Sequence, residues 1–188
     1  MLITLTEIIY FIILTVVIAY IFSDFFQLRP KTVYDYIHPR RFNIEGFKLA
    51  ALATAPAVIL HELAHKFVAM GFGFTATFQL FPMGLAIGVI LKLIHSPLIL
   101  IAPGYVVPAI GLMNFPTAYR LVAVAGPLTN LLLWGVATLI IKYKKDLSRK
   151  NMVILFITKK INGILFLFNM IPFGPFDGAK VLFGPPSL

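Results

Sequence analysis

The sequence predicts an all-α polytopic membrane protein: one domain with about four to six membrane segments and a small membrane-associated β-hairpin or sheet after its histidine-bearing helix. Three observations predict it. Of 188 residues, 60% are hydrophobic and only 12% charged, against roughly 25% charged in an ordinary soluble domain, so the charges are too few to cover a water-facing surface. Apolar runs at 2–23, 46–70, 117–141 and 151–171 approach or exceed the ~20 residues that a spanning helix needs. Between the second and third, residues 74–81 alternate, with Thr75, Thr77 and Gln79 against Ala76, Phe78 and Leu80, which is the period of a strand. The mean hydropathy of +0.93 also excludes disorder, which needs low hydrophobicity.

Each element follows in order. Residues 1–23 form the first membrane helix; no basic segment precedes the apolar run and no small-residue cleavage site follows it, so it reads as retained rather than as a signal peptide. Residues 24–45 are a basic loop carrying Pro30 and Pro39. The second helix, 46–70, contains Pro56, which should kink it one turn before His61. The segment 74–116 holds the strand, a short or re-entrant helix at 82–95 punctuated by Pro82, Gly84, Gly88 and Lys92, and a hairpin at 98–107 around Pro103-Gly104, a favoured pair for the centre of a type II turn. A third spanning helix, 117–141, carries Gly126-Pro127 and Asn130. The last segment, 151–180, is a helix interrupted by Lys159-Lys160, so that its buried part shrinks to 161–171, followed by the helix-breaking Pro172–Gly178 stretch.

The net charge of +9 does not point to nucleic acid. The basic residues stand in short runs between apolar segments: Arg29, Lys31, Arg40 and Arg41, then Lys142, Lys144, Lys145, Arg149 and Lys150. Such runs flank membrane helices, where Lys and Arg meet lipid headgroups. The partner they imply is the lipid bilayer, for an integral multi-pass protein of the cell membrane. Cysteine is absent, which removes disulfides and thiolate zinc sites.

The chemistry lies in His61-Glu62-Leu63-Ala64-His65. Positions i and i+4 share one helical face, so both imidazoles can be aimed at one metal, while Glu62 projects beside them to reach a metal-bound water. This is the HExxH arrangement of zinc metallopeptidases. Glu62 falls about 24 Å along a helix that starts near Gly46, and ionisable groups at such depth need a partner or a ligand. The bland alternative is a polar pocket of hydrogen-bonded histidines. A catalytic zinc takes three protein ligands. No Glu follows Glu62, so the downstream candidates are His95, Asp146 and Asp177. Asp146, among lysines, reads as a solvated loop charge. His95 stays open. Asp177 stands alone in an uncharged stretch and needs a partner, its alternative being a turn-forming Asp-Gly.

The HELAH pentapeptide, taken with Asn169-Met-Ile-Pro172-Phe-Gly-Pro175-Phe-Asp177-Gly178, resembles the paired signature of the site-2 protease family of intramembrane zinc metalloproteases. Gly126-Pro127-Leu128-Thr129-Asn130 is similar to that family's G-P-x-x-N stretch, and the resemblance spans about residues 46–180. It implies one Zn2+ per chain held by His61, His65 and Asp177, with Glu62 as the catalytic acid/base. It also implies Asn169, and less directly Asn130, as substrate or oxyanion contacts; a helix-packing hydrogen bond is the equal alternative for Asn130. The substrate implied is a membrane protein with an unwound transmembrane segment, cleaved by zinc-activated water. The match departs from the family in Phe176 before the aspartate and Ala179 after Gly178, and it implies a minimal core or a truncated chain. The rival readings are a metal transporter or carrier without hydrolysis and an inactive scaffold.

Overall fold

The computed structural model describes residues 3–26, 42–96 and 103–185. Helix α1, Leu5–Phe22, opens on a capping box in which Thr4 accepts from the Glu7 amide and Glu7 reaches back to the Thr4 amide. Helices α2, Ile44–Ala53, and α3, Ala55–Gly71, run on from each other with a break at Thr54. Pro56 explains the break: it has no N–H to give to the Leu52 carbonyl, and its ring crowds that turn. Strand β1, Ala76–Leu80, leads into α4, Pro82–Leu93, then β2, Gly104–Pro108, and a short 3-10 turn at Ile110–Asn114. Helices α5, Pro116–Tyr143, and α6, Arg149–Asn169, form an antiparallel pair, and the short α7, Asp177–Phe183, follows. Helix α6 continues unbroken through Lys159-Lys160.

Among the described residues, four helical stretches are long and apolar enough to cross a membrane: Leu5–Phe22, Ile44–Gly71 (α2 with α3), Pro116–Tyr143 and Arg149–Asn169. Together with one two-stranded antiparallel sheet, they make a mostly-α polytopic membrane fold. The expected hairpin at 98–107 is described only in its second half. Residues 97–102, its first half, lie outside the described residues, and so do the basic positions Arg29, Lys31, Arg40 and Arg41. The described half pairs with β1, across α4, in the register Ala76↔Pro108 to Leu80↔Gly104.

Packing sets the sheet against α3. Val58 of α3 clusters with Phe78 of β1, with Leu14 and Ile18 of α1, and with Leu85 of α4. Ala69 of α3 clusters with Ala76, Leu112, Ala118 and Val122. Buried alanines along α2, α3 and α5 (Ala50, Ala53, Ala57, Ala123, Ala125) let helix backbones approach closely, the usual solution where lipid removes the hydrophobic drive between helices. Large exposed apolar side chains such as Leu132, Leu139, Phe156 and Leu167 cover the outer faces of α5 and α6, as a lipid-facing surface requires.

Candidate metal centre

One turn of α3 separates His61 from His65, and α7 brings Asp177 to the same point from the far end of the chain. The His61 and His65 Nε2 atoms stand 3.1 Å apart. Asp177 Oδ2 lies 3.2 Å from the first and 3.1 Å from the second. All three residues are buried, and among the described residues they form the one group of three or more His, Asp or Glu side chains placed to share a metal ion.

The far sides of the rings decide which atoms carry hydrogen. His65 Nδ1 lies 2.7 Å from the Val122 carbonyl, which only accepts, so Nδ1 carries the proton. Asn130 Nδ2 donates to the Ala57 carbonyl, 3.1 Å, and to Asn162 Oδ1, 2.8 Å. Its Oδ1 therefore faces His61 Nδ1, 2.6 Å away, and that nitrogen is also a donor. With both Nδ1 atoms protonated, each neutral ring turns an Nε2 lone pair toward the other and toward a carboxylate oxygen. Three acceptors at such spacing repel unless something positive lies among them. Tetrahedral ligands at the ~2.0–2.1 Å of Zn–N and Zn–O bonds stand about 3.3 Å apart, so the triangle, its edges and its donor set fit zinc.

Backbone economy makes the convergence possible. A Cβ at Gly126 would stand 2.6 Å from His61 Nε2 and 2.7 Å from His61 Cε1, so α5 passes the imidazoles only as glycine. Pro127 follows inside the helix and leaves the Ala123 carbonyl without its intrahelical donor. A Cβ at Gly178 would meet the Met170 carbonyl carbon at 2.5 Å and the Ile171 oxygen at 2.7 Å, so α7 can begin against the end of α6. The second Asp177 oxygen, Oδ1, accepts from Lys180 Nζ at 2.8 Å. Burial pushes the Asp177 carboxyl up, and the Lys180 charge beside it pulls it down.

Glu62 is buried beside His61 and makes no hydrogen bond among the described residues. His95 lies exposed at the end of α4 and Asp146 exposed in the loop before α6, so neither reaches the cluster. For Asn130 the bonds observed are those of the packing alternative. Both its amide hydrogens are engaged and its oxygen holds His61, so it orients a ring and has no donor left for an oxyanion. Asn169 bonds back to the Leu165 carbonyl of its own helix, 3.0 Å, and no hydrogen bond joins it to the His–His–Asp cluster. Two contributors escaped the sequence reading. Asn162, fully buried, is itself oriented by donating to the Thr158 carbonyl and braces Asn130. Lys180 fixes the direction of Asp177. An Asn in the middle of an apolar helix and a Lys three residues after the aspartate were the available signals.

Comparison with known proteins gives one relative to set beside this geometry. The chain is 37% identical over 141 residues to a protein of Methanocaldococcus jannaschii named "Putative zinc metalloprotease"; the match covers 75% of this chain and 72% of the archaeal one. No family model matches the chain, and no solved structure does.

Proposed function

The chain belongs to the same family as that archaeal protein, and on this premise we propose that it is an intramembrane zinc metalloendopeptidase that cleaves membrane proteins in or near their transmembrane segments. The observation that carries the proposal is the convergence of two Nε2 lone pairs and one carboxylate oxygen at 3.1–3.2 Å, with an unbonded glutamate next to them. His61, His65 and Asp177 would hold one zinc, leaving its fourth position to water or substrate. Bound there, zinc supplies a Lewis acid that polarises the scissile carbonyl and makes water a stronger acid.

The remaining chemistry belongs to the protein. Glu62 takes a proton from the attacking water and returns it to the departing amine. Its freedom from hydrogen bonds leaves both oxygens available for that transfer. Asn130 and the Val122 carbonyl keep both Nδ1 protons in place, and Lys180 keeps Asp177 presenting one oxygen. A peptide bond in an intact helix is shielded by its own hydrogen bonds, so the substrate unwinds before it is cut. The sheet beside α3 offers the unwound segment a strand to pair with. The bonds Ala109 N to Thr75 O and Phe81 N to Pro103 O set the ladder's alternation. By that alternation the backbone groups of Gly104 and Val106 point away from β1. One outward group of β1, the Phe78 amide, is already bonded to Glu7, 2.8 Å, so among the described residues β2 is the freer edge for an added strand.

The test is Glu62→Gln in purified protein supplied with a membrane-embedded substrate. The variant should keep about one zinc per chain and lose cleavage. Full cleavage by Glu62→Gln would remove the mechanism, and retention of zinc-dependent transport without hydrolysis would favour a carrier.

A further inference from the structure

Outside the metal centre, the most deeply buried charges among the described residues are Glu7 and Lys66, each 2% exposed. They join three elements. Lys66 Nζ of α3 lies 2.5 Å from Glu7 Oε1 of α1, and the Phe78 amide of β1 donates to the same oxygen at 2.8 Å. The other Glu7 oxygen accepts from the Thr4 amide and hydroxyl. Lys66 stands one turn after Glu62, and Val58, which packs with Phe78, stands one turn before it. Residues four apart share a helical face, so the sheet lies along the face of α3 that carries Glu62.

We propose that Glu7 and Lys66 are positioning residues of the peptidase site: one Glu7 oxygen shared by the Lys66 ammonium and the Phe78 amide pins the sheet at a fixed height on the metal-bearing helix. The proposal rests on the peptidase reading for its consequence and on the hydrogen bonds alone for the pin. Stability gives little reason to keep this pair, because apolar residues of similar volume commonly replace a buried ion pair without loss. Registry does give one. The period of a strand is two, so a one-residue slip of β1 turns its buried face outward. The Phe78 amide also points away from β2, where the ladder offers it no acceptor. Beside the packing of Phe78 with Val58, Glu7 supplies the directional bond that fixes the register of β1, and through β1 the substrate-pairing edge of β2, relative to Glu62.

The experiment uses the whole chain in detergent or nanodiscs. Glu7→Leu/Lys66→Met removes the pin without leaving a lone buried charge. Glu7→Gln/Lys66→Met gives back an acceptor for Phe78 alone. Hydrogen exchange at the Phe78 amide should quicken about tenfold in the first variant, the loss of one ordinary hydrogen bond, while Thr77 and Gln79, bonded to β2, stay protected. Zinc content should not change. The KM for a membrane-embedded peptide should rise severalfold with kcat within about twofold, and the glutamine variant should recover both amide protection and KM. Three results would overturn the proposal: Phe78 protection equal to the parent's, loss of protection at all three amides together, or an exposed Phe78 amide with unchanged KM. If the parent chain cleaves no membrane peptide while the Phe78 amide responds as described, the failure belongs to the peptidase reading, and the positioning role falls with it while the pin stands.

Discussion

Asn130→Ala tests the claim that hydrogen bonds behind the ligands prepare the metal centre. The substitution deletes three bonds at once: the acceptor for His61 Nδ1–H, and the donors to the Ala57 carbonyl and to Asn162 Oδ1. All three partners lie in the protein interior, where a group left unsatisfied costs about 1–3 kcal/mol. For the metal, removal of such a supporting bond typically weakens binding about 10–100-fold, equivalent to about 1.4–2.7 kcal/mol, because His61 can then rotate or exchange its tautomer. Asn162→Ala makes the comparison. It removes the brace but leaves Asn130 bonded to Ala57, so zinc affinity should fall by less than about tenfold. The assay is competition for zinc against a chromophoric chelator in detergent micelles, read on protein whose helical content matches the parent. A folded Asn130→Ala protein with parental zinc affinity would refute the reasoning, and so would an Asn162→Ala protein that binds zinc more weakly than Asn130→Ala.

Three further outcomes follow from the same geometry. Gly126→Ala should abolish stoichiometric zinc binding, since its methyl would fall 2.6 Å from His61 Nε2; metal analysis after dialysis checks it. Gly178→Ala should weaken zinc binding without touching a ligand, because backbone atoms at 2.5 and 2.7 Å cannot yield and α7 must move with Asp177. Chelator competition with the Gly178→Ala and Asp177→Asn proteins side by side should give similar losses. Acidification should release the metal, since protons compete for the ligand lone pairs. Zinc titrations across about pH 5 to 8 read it.

The parts of the fold that the sequence disclosed are those whose cause is local. Apolar runs of bilayer length are visible as helices because nothing beyond the run decides them, and Pro56 announces the break at Thr54 by its missing N–H. His61 and His65 were legible for the same reason: i and i+4 meet on any α-helix. The β1 alternation was readable, but its partner was not, since pairing across α4 depends on how that helix folds back. The same limit applies around the metal. The need for glycine at Gly126 shows only when α5 is laid against the imidazoles, and Asn162 only when α6 is laid against α5. Glu7 and Lys66 are 59 positions apart, and nothing local to either announces the other.

These departures from local rules have one thing in common. A membrane helix has no intrinsic use for a glutamate between two histidines, for an interior proline, or for a glycine that weakens it. Here His61, Glu62 and His65 on α3, Gly126 and Pro127 on α5, and Asp177-Gly178 at the start of α7 meet at one point. Local exceptions that converge in space are the expected mark of a working site rather than of a fold. The hydrogen bonds sharpen the point. Carbonyl groups that can only accept, Val122 and Ala57, set the direction of every other bond around the two rings, and those directions leave three lone pairs facing inward. A single proton would satisfy one edge of that triangle. A divalent cation satisfies all three, and Gly126 and Lys180, by what one lacks and the other holds, keep the triangle the size such a cation needs.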